Sequence, residues 1–271
     1  MSADLFEKSH HFAAEVLAES LKQIDIQRIA KHNKGYLRYA KDPVQSFVFA
    51  EKARFLDDVK YIYQTTEKDA EILDAGTFIP VIPLMLKFLG YKYITVAEKF
   101  SLYDGAIDPV LAAAKTTGIE VIDADITQPF SSKKYDLILL LAVIEHFSSS
   151  PLPLIQNLKT LFRTPKSRLL ISAPNFARLE NRIGLLLGKT PLVDIEEFLL
   201  SEPPFTGHSR EYTVKDFRKL AELSGLEITH ISAMSYSSPR NLRDKIFTLI
   251  RAYGGLSLNE IIRIDTTLKY S

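Results

Sequence analysis

Three acidic side chains stand where three successive apolar runs end. Asp74 closes the run Glu71–Ala75, Glu98 follows Tyr93–Ala97, and Asp125 follows Glu120–Ile122. An open parallel sheet binds its ligands beyond the carboxyl ends of its strands. A carboxylate offers two acceptor oxygens, which suits a pair of ribose hydroxyls after a second strand. An acceptor after a third strand suits an exocyclic amine. Gly76 follows directly on Asp74-Ala75, and a residue without a Cβ lets backbone come close to a ligand. A fourth run, Leu137–Leu141, leads into Glu145-His146. Histidine titrates near neutral pH, so His146 and the later His208 are candidate general bases, and Tyr212 is a candidate to orient a reacting group.

Those residues need a scaffold that delivers them to one rim. From residue 70 onward, short apolar runs alternate with helical stretches. Strands are expected at Glu71–Ala75, Tyr93–Ala97, Glu120–Ile122, Leu137–Leu141, Arg168–Ser172, Glu227–Met234 and Ile261–Thr267. Helices are expected between them at Val81–Leu89, Pro109–Thr116, Pro151–Phe162 and Val214–Ser224. This alternation predicts an α/β fold, a doubly wound, mostly parallel seven-stranded sheet with helices on both faces. The last strand follows a long polar connection and is expected antiparallel at one side. Residues 1–68 read as an N-terminal helical extension, with Phe12, Val16, Leu17 and Leu21 at amphipathic spacing and a second helical segment over Pro43–Tyr63. The remainder, 69–271, reads as one domain. Residues 175–207 are too long for an ordinary connection and predict an insertion with a short helix, Leu179–Leu187, over a pocket. A second excursion, Ser237–Leu258, carries an amphipathic stretch at Ile246–Tyr253.

Composition removes several function classes. The 271 residues include no cysteine, which excludes disulfides, thiolate metal sites and cysteine nucleophiles. The formal net charge of +1 gives no chain-wide attraction for a polyanion, so no nucleic-acid partner is expected. His10-His11 and His32 read as surface residues, and no metal-ligand spacing emerges. No apolar signal region occupies the N-terminus, and the longest apolar run, Leu137–Ile144, is well short of the ~20 residues that span a bilayer. A soluble, cytoplasmic protein is expected.

In order and spacing, these pieces resemble the class I S-adenosylmethionine-dependent methyltransferases over roughly residues 70–235. Asp74-Ala75-Gly76 matches the family's acid–small–Gly loop, Glu98 its ribose-binding acid, and Asp125-Ile126 its adenine-binding pair, with Pro129-Phe130 following. Tyr135-Asp136 enters the fourth strand and Ile144-Glu145-His146 leaves it. Ile171-Ser172-Ala173-Pro174-Asn175 and Gly207-His208-Ser209-Arg210-Glu211-Tyr212-Thr213 complete the likeness. The resemblance implies S-adenosylmethionine held by Asp74, Ala75, Gly76, Thr77, Glu98, Asp125, Ile126 and Leu141. It implies direct in-line methyl transfer to a small-molecule acceptor, of sugar, lipid or secondary-metabolite type, with His146, His208 and Tyr212 at the reacting end.

The family loop usually carries two or three glycines. Here only Gly76 is present, with Phe78 and Pro80 at the later positions. Either the loop takes a different path or Phe78 packs near the cofactor. An alternative reading is a non-catalytic, methyltransferase-like binding or scaffold protein. A nicotinamide-dependent oxidoreductase is disfavoured, because Gly76-Thr77-Phe78 breaks the Gly-x-Gly-x-x-Gly fingerprint. The N-terminal helices are candidates for a lid or a homodimer surface. Tyr36, Arg38 and Tyr39 face the pocket in this reading, with Arg38 paired to the cofactor carboxylate.

Overall fold

The computed structural model describes residues 3–235, 250–251 and 255–269. Seven strands form one sheet among these residues: β1 (Glu71–Ala75), β2 (Tyr93–Glu98), β3 (Glu120–Asp123), β4 (Leu137–Leu141), β5 (Arg168–Pro174), β6 (Leu226–Met234) and β7 (Ile261–Leu268). Their order is β3-β2-β1-β4-β5-β7-β6. β1 pairs in parallel with β2 on one side and β4 on the other, so the carboxyl ends of β1, β2, β3 and β4 share one rim. β7 is antiparallel, as expected, but it inserts between β5 and β6 rather than lying at one side. Burial explains the placement. Residues Ile261–Thr266 of β7 are buried throughout, whereas β6 is half exposed along its length and suits an edge.

Alternation along the strands builds two apolar layers. Ile72, Val96, Leu137 and Leu139 face one layer, and Leu73, Ala97, Ile138 and Leu140 face the other. The first layer lies under α1 (Ala3–Lys22), α2 (Ile26–Ile29), α3 (Lys52–Thr65), α4 (Val81–Phe88) and α5 (Asp108–Thr116). The second lies under α6 (Leu152–Thr160) and, beyond the insertion, the helix Val214–Ser224. α1 packs on α3, α4 and α5, and its Leu17 and Leu21 share one core with Ile72. The N-terminal helices therefore build the sheet's own cover.

Two helical expectations are revised. The segment expected as one helix over Pro43–Tyr63 is broken into a wide π turn, Gln45–Phe49, and α3, with Glu51 outside helical backbone between them. Asp42 starts the turn by accepting from Gln45 N at 2.9 Å. The insertion holds two helices, α7 (Leu179–Leu186) and α8 (Ile195–Leu200). The short apolar run of α8 forms a helix because Asp194 caps Glu196 N and Glu197 N. Val214–Ser224 (α9) starts on a Thr213–Asp216 capping box and stops at Gly225 in the left-handed region. Of the stretch Ile246–Tyr253, only Ile250 and Arg251 lie within the described residues.

Candidate active site

The turn after β1 admits only glycine at position 76. Gly76 has φ +86°, and a Cβ built there would stand 2.6 Å from both methyl groups of Val143. Its N–H donates to Ala97 O at 2.8 Å, which ties the turn to β2. One glycine thus serves the close approach between the β1 turn and the β4 exit. The Phe78 ring packs on Tyr103 at 4.8 Å, Tyr36 at 5.4 Å and Phe47 at 5.6 Å. An aromatic group from the N-terminal segment therefore covers the turn.

The three strand-end acids share the rim but differ in state. Asp74 is buried, and loss of solvent raises its pKa to about 6. Burial likewise raises Glu98 to about 7, with Asp125, Asp74 and Asp123 adding to the rise and the Lys99 N–H opposing it. One Glu98 oxygen, Oε1, accepts from Lys99 N at 2.9 Å. Asp125 is held below the usual carboxylate range, chiefly because its Oδ1 accepts from Thr127 Oγ1 at 2.6 Å and Thr127 N at 3.0 Å.

A cavity of about 890 Å³ opens at the carboxyl ends of β1, β4 and β5. Asp74, Gly76, Thr77, Leu141, His146 and His208 are on its wall. Ala75 is fully buried, and Ala75, Glu98, Asp125 and Ile126 stand off that wall. The N-terminal segment adds Tyr36 and Phe47 to the wall beside Phe78 of the turn. Tyr36 and Tyr103 both lie close enough to Glu98 to feel its charge. Tyr212 is placed differently from expectation. It is buried off the cavity wall, and its hydroxyl donates to Ile144 O at 3.4 Å, so it supports the β4 exit from behind. Tyr36, Arg38 and Tyr39 line the cavity as expected, and Arg38 pairs there with Glu197 of α8 at 3.2 Å, joining the N-terminal segment to the insertion.

The β4 exit positions His146. Ala142 adopts φ +57°, rare for a residue with a Cβ, and its N–H donates to Ser172 O at 3.0 Å. That kink turns the chain into the short 3₁₀ turn Ile144–His146. Glu145 O accepts from Ser209 N at 2.7 Å and Arg210 N at 3.1 Å, which brings His208 beside His146. The two imidazoles stand 4.9 Å apart at 80°. His146 Nδ1 lies 2.7 Å from Thr206 O. A carbonyl only accepts, so Nδ1 carries the hydrogen and Nε2 keeps its lone pair. Burial, then the neighbouring His208, lowers His146 to about 4. Burial would lower His208 too, but Glu211 and Glu145 outweigh it and raise the imidazole.

Sequence reasoning assigned no role to Glu145 or Arg54, both on the cavity wall. Glu145 is fully buried, neither of its carboxylate oxygens has a hydrogen-bond partner among the described residues, and burial raises it to about 7. Its only signal was its place before His146. Arg54 is a buried cation paired with Glu51 at 2.5 Å and with Asp58 at 3.6 Å. The i, i+3 and i+4 spacing of those acids around Arg54 is the signal that could have found it.

A family model described as a methyltransferase domain matches residues 44–231. No curated protein matches the chain. Among solved structures, magnesium protoporphyrin IX methyltransferase (ChlM) from Synechocystis PCC 6803, with bound SAH, is 14% identical; the alignment covers 90% of this chain and 98% of that one at a TM-score of 0.56. A SAM-dependent methyltransferase from Thermotoga maritima is 11% identical over 90% and 99%, with a TM-score of 0.57. N-methyltransferase NodS from Bradyrhizobium japonicum WM9, in complex with SAH, is 14% identical over 81% and 88%, with a TM-score of 0.51. These are likenesses of fold. The family match spans most of the chain, and the strand order and rim agree with it: the chain belongs to the methyltransferase-domain family, with the class I, Rossmann-like fold of S-adenosylmethionine-dependent methyltransferases.

Proposed function

We propose that this chain transfers a methyl group from S-adenosylmethionine to a small molecule bound in the 890 Å³ cavity. The observation that carries the reading is the cavity's position: it runs from the Gly76 turn to the Glu145–His146–His208 end, so a donor and an acceptor meet between them. The substrate named for the Synechocystis neighbour, magnesium protoporphyrin IX, is a small molecule, which supports the acceptor class.

The residues present fit the donor. Gly76 and Thr77 at the β1 turn line the cavity where the donor would lie. Glu98 keeps a carboxylate oxygen beyond the one that accepts from Lys99 N. In this reading Glu98 holds the ribose, Asp125-Ile126 the adenine, and Asp74 with Gly76-Thr77 the amino-acid end. The buried Arg54 faces the donor's carboxylate. When bound, the donor supplies a methyl group on a positively charged sulfur. The acidic rim favours that charge, because Asp74 is buried and Glu98 half-buried beside the turn. Phe78, Tyr36 and Phe47 exclude water from the β1 turn, and the chain's remaining task is to position the acceptor.

Calorimetry with S-adenosylhomocysteine tests the reading. One molecule bound per chain is expected, and Glu98→Gln should weaken binding at least tenfold, about 1.4 kcal/mol, with circular dichroism unchanged. Folded protein that gives no binding would remove the donor site.

A further inference from the structure

We propose that Glu145, His146 and His208 form a binding site for a divalent first-row transition ion at the acceptor end of the cavity. The ion's open positions take an oxygen of the acceptor; that second clause rests on the methyl-transfer reading, whereas the ion site does not.

Four observations carry the site. One ligand atom from each of the three residues can be chosen so that all lie within 4.8 Å of one another. Metal–ligand bonds of about 2.0–2.2 Å place neighbouring ligand atoms about 3 Å apart, so modest side-chain rotation closes the set. Glu145 is fully buried on the cavity wall, and neither oxygen has a hydrogen-bond partner among the described residues. A buried carboxylate in that condition is costly, and a cation removes the cost.

Both imidazoles are oriented from behind. His146 Nδ1 donates to Thr206 O at 2.7 Å, and His208 Nδ1 faces Glu211 Oε1 at 3.5 Å. Glu211 is itself fixed by Arg178 at 2.6 Å. Ligating histidines characteristically give their second ring N–H to a carbonyl or a carboxylate, which leaves Nε2 for the metal. The two halves of the site are fastened together by the backbone bonds from Ser209 N and Arg210 N to Glu145 O.

One carboxylate with two imidazoles suits Mn²⁺, Fe²⁺, Co²⁺ or Zn²⁺ rather than Mg²⁺ or Ca²⁺, which prefer all-oxygen sets. Three protein ligands leave positions open toward the cavity. An acceptor hydroxyl bound there loses its proton to water more readily, its oxygen remaining on the ion. The same ion would select acceptors that present oxygen.

The test uses the full chain stripped with EDTA and titrated with Mn²⁺ alone, followed by loss of the free-ion electron paramagnetic resonance signal, and separately with Zn²⁺ by calorimetry. One ion per chain is expected. Glu145→Gln and His208→Gln should each weaken it at least tenfold while binding of S-adenosylhomocysteine stays within twofold. Absence of binding of both ions at millimolar concentration would overturn the site, as would an affinity in the two variants equal to that of the unsubstituted chain. Ion binding that both variants lose, in a chain that never binds S-adenosylhomocysteine, would uphold the ion site and discard the methyl-donor reading.

Discussion

Among the described residues, the charges on the β5–β7 part of the sheet and those on the rim are treated oppositely. Over the β5–β7 part of the sheet, the buried charges Arg263, Asp58 and Asp265 have charged partners. Arg263 meets Asp57 at 2.8 Å and Asp58 at 2.9 Å, Arg168 meets Asp265 at 2.7 Å, and the Tyr61 hydroxyl donates to Asp265 at 2.8 Å. Burial still pushes Asp58 upward, but Arg54 and Arg263 pull against it. At the rim, Asp74, Glu98 and Glu145 are raised by burial to about 6, about 7 and about 7, and neither carboxylate oxygen of Glu145 has a hydrogen-bond partner among the described residues. Paired charge fastens α3 to β7. Unpaired buried acid weakens the empty fold and is compensated only by something that binds. Buried charge alone therefore does not mark a site; the missing partner does.

The largest effect that separates the clusters is expected at Arg263. Arg263→Ala leaves Asp58 buried without its closest cation and should cost about 3–5 kcal/mol in urea unfolding. Glu145→Gln, which removes a charge that had no partner, should leave stability unchanged or higher. Equal losses in the two variants would erase the distinction. Next comes the turn. Gly76→Ala meets both a positive φ and the Val143 methyls at 2.6 Å, and should cost about 2–4 kcal/mol. Val143→Ala in the same chain should recover part of that loss, since it removes the clash and leaves the strain; a strictly additive double mutant would contradict the geometry.

The smallest effect is the pH dependence. Asp74 and Glu98 have folded pKa values raised above their unfolded ones. Below about pH 3 both states are protonated and nothing is lost. As pH rises from there toward 7, the unfolded chain ionises first, so stability falls, on the order of 2 kcal/mol per carboxyl, and the loss is complete above about pH 7. The thermal midpoint should drop between pH 5 and pH 8, and Glu98→Gln should flatten the drop. A midpoint that climbs over this range would show that the rim acids are held ionised in the folded chain, against the raised values.

Strand identity was legible in the sequence, because runs such as Leu137–Leu141 are buried on both faces and leave no room for helical periodicity. The rim acids were legible for the same reason: a parallel sheet puts every strand end on one side, so Asp74, Glu98 and Asp125 had to gather once the strands were known. Tyr212 and Arg38 were not legible in their roles, since each is set by a neighbour distant in the chain, Ile144 and Glu197. Position β7 escaped for a related reason: burial of both its faces depends on β6 lying outside it.

Local rules acting within a few residues determined the elements, the Gly76 turn and the acids at the strand ends. The junction of Glu145-His146 with His208 depended on backbone bonds across the sheet end and on an unfavourable φ at Ala142 that the surrounding fold enforces. No local propensity encodes such contacts. They arise only when packing holds distant segments in register, and the tertiary structure alone therefore decided which acid was left without a partner.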